Sequence, residues 1–465
     1  MKIRFVFISL LLSVFCTSGA VSAGARRPAS GTVRMPKVTT AGLGNGVRLF
    51  YIRDELPQIT ILASVGFGKL YENKNSAGIS ELIAKTISLA GSKKYPSAAL
   101  HESIDSMGGR LSVDASWEHT VISIKVLERF KKEAFAIMAD LIRNPNFDPR
   151  YFTMAKALLS DSLRRKYEDP AETAFGKARE IIFGGDGYGS YPTPESINLL
   201  TLDQAQEAWH RYFCGRNIMI GIYASLPASE IDKLFAGSFS SISAGSMQQY
   251  AVDKRKIADA LQGSNNTIFF YPRDIPQSTI IVGSAAPDIG YPGNYPLEIM
   301  NYVLGGGSFN SRLVAEIRVK RGLAYAVQSV IRFRYKTGVF LAYAQTENRT
   351  AGRVLAIMKE NIEKLGRESM HRNEIVWAKN AISNSFIFQF DTPHNILSNY
   401  MEIAYNNLPV DYYARYLDHI RAVQETDIVR EAGELFRYGT ITVVVGGEAA
   451  AAGLAKFGKV VVIKN

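Results

Sequence analysis

The stretch RDELPQITI, Arg53 to Ile61, returns almost unchanged as RDIPQSTII, Arg273 to Ile281, 220 residues later (273 − 53). In each copy an Arg-Asp turn with a proline opens an apolar, β-branched run, ITILASVGFG in the first and STIIVGSAA in the second. Aspartate and proline punctuate turns, and such a run reads as a strand. A helical stretch follows each, GISELIAKTISLA and YPLEIMNYVLGGG. Next come a glycine turn, alternating strands, and a long amphipathic helix beginning near Phe130 in one half and Ala351 in the other. Each half closes on a strand, at 217–224 and 439–447. The repeat predicts two homologous halves, 39–239 and 267–465, joined by a polar linker at 240–266. Strands followed by helices predict an α+β fold, helices on a mostly antiparallel sheet in each half, the halves forming a clamshell. The Arg-Asp pairs themselves read as structural turn residues.

The chain has 465 residues, 47% hydrophobic and 21% charged, an ordinary globular balance for two or more domains. MKIR, then FVFISLLLSVF, then Val21-Ser22-Ala23 form the charged, apolar and small-residue parts of a cleaved signal peptide, 1–23. Residues 24–38 read as a loose lead-in. A periplasmic or secreted location follows as the expectation, without stable insertion in a membrane. Removing the signal removes Cys16 and leaves Cys214 alone, so no internal disulfide is expected and Cys214 is expected to be buried. The net charge is +11, yet the basic clusters are short and mixed with acids. They read as solvated helix faces, and no nucleic-acid partner is expected.

Hydrolytic signatures are missing. The six histidines, His101, His119, His210, His371, His394 and His419, never lie three to five residues apart, so no local zinc pair exists. GGGSFNS at 305–311 lacks the Lys-Ser/Thr of a phosphate loop and reads as a glycine hinge. The segment GGGSFNSRLVAEIRVKRGLAYAVQS, 305–329, is more informative. A helix from Asn310 to about Val319, ended near Gly322, puts Arg318 in its last turn and Tyr325 at the start of the next strand. A guanidinium and a phenol at that junction can bind a peptide carbonyl or an oxyanion. A helix-terminal charge beside a packing aromatic would look the same.

At these residues the chain resembles the pitrilysin/insulinase family of zinc peptidases, in its short two-domain bacterial form. The resemblance rests on Ser308, Ser311-Arg312-Leu313, Ile317-Arg318 and Gly322 to Tyr325. It rests also on YPTPESINLLTLDQAQEAWHRYFCGRNIMIGI, 191–222, and it covers essentially all of the chain after the signal. The family's defining motif is H-x-x-E-H on a helix, two zinc-binding histidines with a glutamate base. Anchored on Gly78, the three positions are Glu81, Ala84 and Lys85 here, and the third-ligand position falls at Ser162. Ala84 removes the base, and Lys85 sets an ammonium where a dication belongs. Glu81 and Lys85 instead read as an i,i+4 ion pair worth roughly 0.2–0.5 kcal/mol.

The resemblance therefore implies a metal-free, non-catalytic subunit of a heteromeric zinc metalloendopeptidase. No catalytic residue, metal or cofactor is expected on this chain; zinc would sit in a homologous partner bearing H-x-x-E-H. Arg318 and Tyr325 would bind the substrate peptide. The alternative it implies is a non-enzymatic scaffold or peptide-binding protein of the same fold.

Overall fold

The described residues of the computed structural model, 35–246 and 250–463, build two six-stranded sheets. The signal sequence lies outside them. The first sheet contains β1 (Thr39–Gly42), β2 (Arg48–Arg53), β3 (Gln58–Val65), β4 (Arg110–Ala115), β5 (Thr120–Leu127) and β6 (Ile218–Ala224), in the order β1-β2-β6-β3-β5-β4. The second contains β7 (Thr267–Pro272), β8 (Gln277–Ala286), β9 (Ala324–Arg332), β10 (Gly338–Glu347), β11 (Ile441–Gly446) and β12 (Lys459–Val462), in the order β12-β7-β11-β8-β10-β9. The α+β class is as expected. The strands ending each alternating block, β6 and β11, are not sheet edges. Each inserts between the two strands that an Arg-Asp phrase connects, parallel to one and antiparallel to the other.

This insertion explains the repeated phrase. The Asp54 N–H donates to the Ala224 carbonyl (2.8 Å), and the Arg273 N–H donates to the Gly446 carbonyl (2.9 Å). Each turn thus ties itself to the end of the inserted strand, satisfying backbone groups that the ladder leaves open. The copies differ at one side chain. Arg53 is exposed, whereas Arg273 donates to Thr173 Oγ1 (3.0 Å) and to the Glu168 carbonyl (3.3 Å) in the other half. Arg273 is more than a turn residue.

The halves are joined by an exchange of helices. Asp169 caps the helix Pro170–Phe183, which leaves the first half and lies on β8 and β11 of the second. Its Ala174, Ala178 and Ile182 pack with Ile281, Val443 and Val445, all wholly buried. The small alanines let the helix approach the sheet closely. In return Thr392 caps the helix Pro393–Asn406 of the second half, which covers β2 and β6 of the first. There Leu397, Met401 and Tyr405 meet Phe50, Ile52 and Met219. An exchanged helix on one face and a home helix on the other buries both faces of a sheet. That is why β3 and β8 are buried almost along their whole length, polar Thr60, Ser64, Ser278 and Ser284 included. The two parts of the clamshell are therefore packed together through their cores. The salt bridge from Arg334 to Glu118 (3.2 Å) adds a polar tie between them.

Two expectations need correction. The segment 240–266 carries a helix, Lys254–Ser264, capped by Asp253. Its large apolar side chains are Ile257 and Leu261, four apart and both buried, too sparse a stripe to stand out from the charged face. The lead-in is also tied down, at least from residue 35, because the Tyr400 hydroxyl donates to the Pro36 carbonyl (2.8 Å). Cys214 is buried, and burial pushes its thiol pKa up.

His119, on the inner side of the first sheet, faces the helix 393–406. Its Nδ1 lies 3.1 Å from Ser64 Oγ and its ring stands against Tyr405 at 4.1 Å. Burial lowers its pKa to about 4 from the ordinary 6.5. The folded state therefore binds fewer protons than the unfolded one between those values. The stability that a neutral His119 gives is full above pH 6.5 and is lost as pH falls toward 4, by up to about 3 kcal/mol. Burial raises the Glu298 and Glu402 carboxyls, which act in the opposite sense. The expected result is hence a difference: His119→Asn should show a shallower loss of stability from pH 6.5 to 4 in urea titrations than the wild type.

Candidate functional site

The helix Ile79–Ala90 carries the positions that resemble a metal motif. Gly78 precedes it at φ +90°, where any side chain would be strained, and a Cβ there would come within 2.3 Å of Ile197. The buried carboxylate of Glu72 holds the helix start. It accepts from the Gly78 N–H (2.9 Å), the Ser80 N–H (3.1 Å), the Ser80 hydroxyl (2.6 Å) and the Ser190 hydroxyl (2.7 Å). An anion at a helix N-terminus also offsets the helix dipole. Glu72 escaped sequence reasoning because it lies outside the helix it caps. Glu72→Ala should cost about 2–4 kcal/mol, because it leaves several donors unpaired in a dry site; chemical denaturation would measure it.

The expected Glu81–Lys85 pair does not form. Glu81 instead meets Lys69 (2.8 Å), whose ammonium also stands 5.4 Å from the Trp117 ring centroid. Lys69 lies beneath the helix in a half-buried setting, where an ion pair is worth more than on the exposed flank that Lys85 occupies. Ala84 is 3% exposed and belongs to the first half's core. Ser162 is exposed on the helix Pro149–Glu168, and neighbouring Asp161 is paired with Arg165. These residues do not fit a zinc ion. One carboxylate is already neutralised, one position has no donor atom, and one is a cation. Among the described residues no group of three or more His, Cys, Asp or Glu is placed to hold a metal.

Arg318 and Tyr325 are brought together as expected. The helix from Arg312 ends in a widened turn, Val314–Val319, with the Lys320 N–H bonded to the Ala315 carbonyl (2.9 Å). Gly322 (φ +61°) then reverses the chain into β9. The Arg318 guanidinium lies between two rings, 4.3 Å from Tyr325 and 4.7 Å from Phe309. Tyr325 is 81% exposed and Phe309 57%. No hydrogen bond or ion pair reaches the guanidinium from a described residue. The nearby acid, Glu316, is occupied by Lys320 and Arg321, whose hydrogen bonds hold its carboxyl below the usual range. Contact with the two rings leaves the N–H donors of Arg318 without a partner among the described residues.

The support beneath this pair is rigid. Arg312 makes a two-toothed pair with Glu374 (2.8 and 2.7 Å), pinning the helix to its neighbour Arg372–Ser385. Burial would raise the Glu374 carboxyl, but the Arg312 hydrogen bonds and charge outweigh it and hold the pKa low. The glycine run, expected as a hinge, is closely packed. A Cβ on Gly307 would reach Trp377 at 2.4 Å, and one on Gly305 would reach the Ser329 N at 2.6 Å. These glycines allow close packing behind Phe309. Sequence reasoning missed Phe309, the second half of the clamp.

A cavity of about 510 Å³ lies between the inner face of the first sheet and the helix 393–406, and neither Arg318 nor Tyr325 lines it. Arg318 thus stands against two exposed rings, with no hydrogen-bond or ion-pair partner among the described residues.

Comparison with known proteins agrees with this construction. Residues 50–183 match the family model "Insulinase (Peptidase family M16)", and residues 199–382 match "Peptidase M16 inactive domain". A Rickettsia bellii protein named "Uncharacterized zinc protease" is 24% identical over 394 residues, 83% of this chain and 92% of its own. The Helicobacter pylori "Non-peptidase homolog YmxG" is 23% identical over 372 residues, 79% of this chain and 83% of its own. The crystal structure of a Pseudomonas fluorescens peptidase M16 inactive domain superposes with a TM-score of 0.77 at 18% identity. It covers 88% of this chain and 98% of that one. Two matched family models, a duplicated sheet-and-helix half and a shared fold lead to one conclusion: the chain belongs to the insulinase family, peptidase family M16.

Proposed function

We propose that this chain is an exported, metal-free subunit of a two-chain M16 peptidase, gripping substrate peptide with Arg318 and Tyr325 while a homologous H-x-x-E-H partner supplies the zinc. The observation that carries this reading is the contrast between the two sites. The metal positions are filled by a core alanine, an exposed lysine and a paired glutamate. The Arg318 clamp is intact, unpaired and exposed. A peptide carbonyl or carboxylate laid along the guanidinium edge would receive charge-assisted hydrogen bonds, with the Tyr325 hydroxyl as a further donor. The steps at the metal belong to the partner, and this chain's part is to bind and orient.

The test is reconstitution with the H-x-x-E-H homologue encoded nearest to this chain's gene. Expected are a stable complex and peptide cleavage that neither chain shows alone. A partner fully active alone, and unchanged on mixing, would refute the proposal. In that event the scaffold or peptide-binding alternative is the one left, in keeping with the "Non-peptidase homolog" name of the H. pylori relative.

A further inference from the structure

Away from the Arg318 clamp, a cavity of about 170 Å³ lies where the exchanged helix 170–183 meets β9 and β10. Its walls are mainly apolar, including Phe175, Phe183, Val339 and Leu341. Three arginines, Arg179, Arg332 and Arg334, also line it, and no carboxylate does. Arg179 and Arg334 each stand 5.0 Å from the Trp117 ring. Arg334 is balanced by Glu118 (3.2 Å), whose carboxylate also accepts from the Tyr188 hydroxyl (2.9 Å). Arg179 has no such balance. No hydrogen bond or ion pair from a described residue reaches its guanidinium. The carboxylate it feels most, Glu172, is paired with Lys166 (3.5 Å). Arg179 is also deep enough for burial to lower its pKa, with Arg334 adding repulsion. Deeply placed charges are paired or they serve a site, because leaving one unpaired in a low-dielectric pocket is costly.

We infer that this cavity is a binding site for a carboxylate carried on a short apolar body, its oxygens on Arg179 and its body among the aromatic and aliphatic walls. The planar guanidinium matches a carboxylate in two-toothed fashion, and the lining beside it is wrong for a fully hydrated inorganic anion. Such a group could be a free aliphatic acid or the C-terminal residue of a peptide. The site is independent of the peptidase reading, since none of its residues belongs to the Arg318 clamp.

Calorimetric titration of the full-length mature protein tests this, using hexanoate, hexanamide, inorganic phosphate, and a leucine-ending tripeptide with a free or an amidated C-terminus. Hexanoate or the free-acid tripeptide should bind at least about tenfold tighter than its amide, and which of them binds identifies the source. Arg179→Met should weaken binding by about tenfold or more, and Arg179→Lys by less, because a cation remains. Arg179→Met should melt no lower than the wild type, since it removes a half-buried charge that has no ion-pair partner among the described residues. Several results would overturn the assignment: equal binding of acid and amide, full competition by phosphate, no saturable binding of either acid, or unchanged affinity in Arg179→Met.

Discussion

Arg318→Ala in the reconstituted two-chain enzyme should lower kcat/KM for peptide cleavage by roughly 10²-fold, the loss typical of removing one preorganised donor from a developing charge. The geometry makes this a clean deletion. Among the described residues the guanidinium has no ion pair that would be orphaned, and its neighbours Tyr325 and Phe309 are exposed rings that lose a stacking partner and little else. Folding should therefore be nearly unchanged, and the effect should appear in kinetics alone. Tyr325→Phe keeps the ring over Arg318 and removes the hydroxyl. It should fall between the wild type and Arg318→Ala, whereas Tyr325→Ala, which also removes the stacking face, should approach the arginine variant. Phe309→Ala should raise KM more than it lowers kcat, because it loosens the arginine without deleting a donor. If both Arg318→Ala and Tyr325→Phe cleave at the wild-type rate, the clamp has no part in the reaction.

The second large effect concerns the halves themselves. Expressed separately, residues 35–246 and 250–463 should each be insoluble or molten, and co-expression should restore a soluble complex. The reason is the exchange. Without the helix 170–183, β8 and β11 would present Ile281, Val443 and Val445 to water. The helix itself, with Ala174, Ala178 and Ile182 unpartnered, would do the same. Burial of one large aliphatic side chain contributes about 1.5–3 kcal/mol, and several are involved on each side. Within the intact chain, Ile182→Ala should cost about 2–5 kcal/mol and leave a single unfolding transition, with the midpoint for both halves lowered together. Two separate transitions in calorimetry would show that the exchange does not couple them.

Much of this was legible in the sequence, for identifiable reasons. Register and turn chemistry repeat in the Arg-Asp phrases, so the duplication and its strands could be read directly. Gly78 and the spacing after it located the helix on which the family resemblance sets a metal motif, and the seven residues from Arg318 to Tyr325 fit a helix end and a strand start. What was hidden depends on long-range contacts. The Glu81–Lys85 pair was a fair local expectation that a tertiary neighbour, Lys69, overrode. Glu72, Phe309 and Arg179 act through partners brought near only by the fold, among them Ser190, Arg318 and Trp117. The glycines at 305–307 looked like freedom and are close contacts, a distinction that only the position of Trp377 reveals.

The exchanged helices bear on how such a protein can change. In a fold whose cohesion comes from a metal site, the ligands are under constraint twice, for chemistry and for integrity. Here the two interlocking cores hold the halves together, and none of positions 81, 84 and 85 belongs to them. Substitutions at those positions could accumulate without loosening the interlock. Divergence of the two copies is the behaviour to be expected of a duplicate whose members share a skeleton and not a duty.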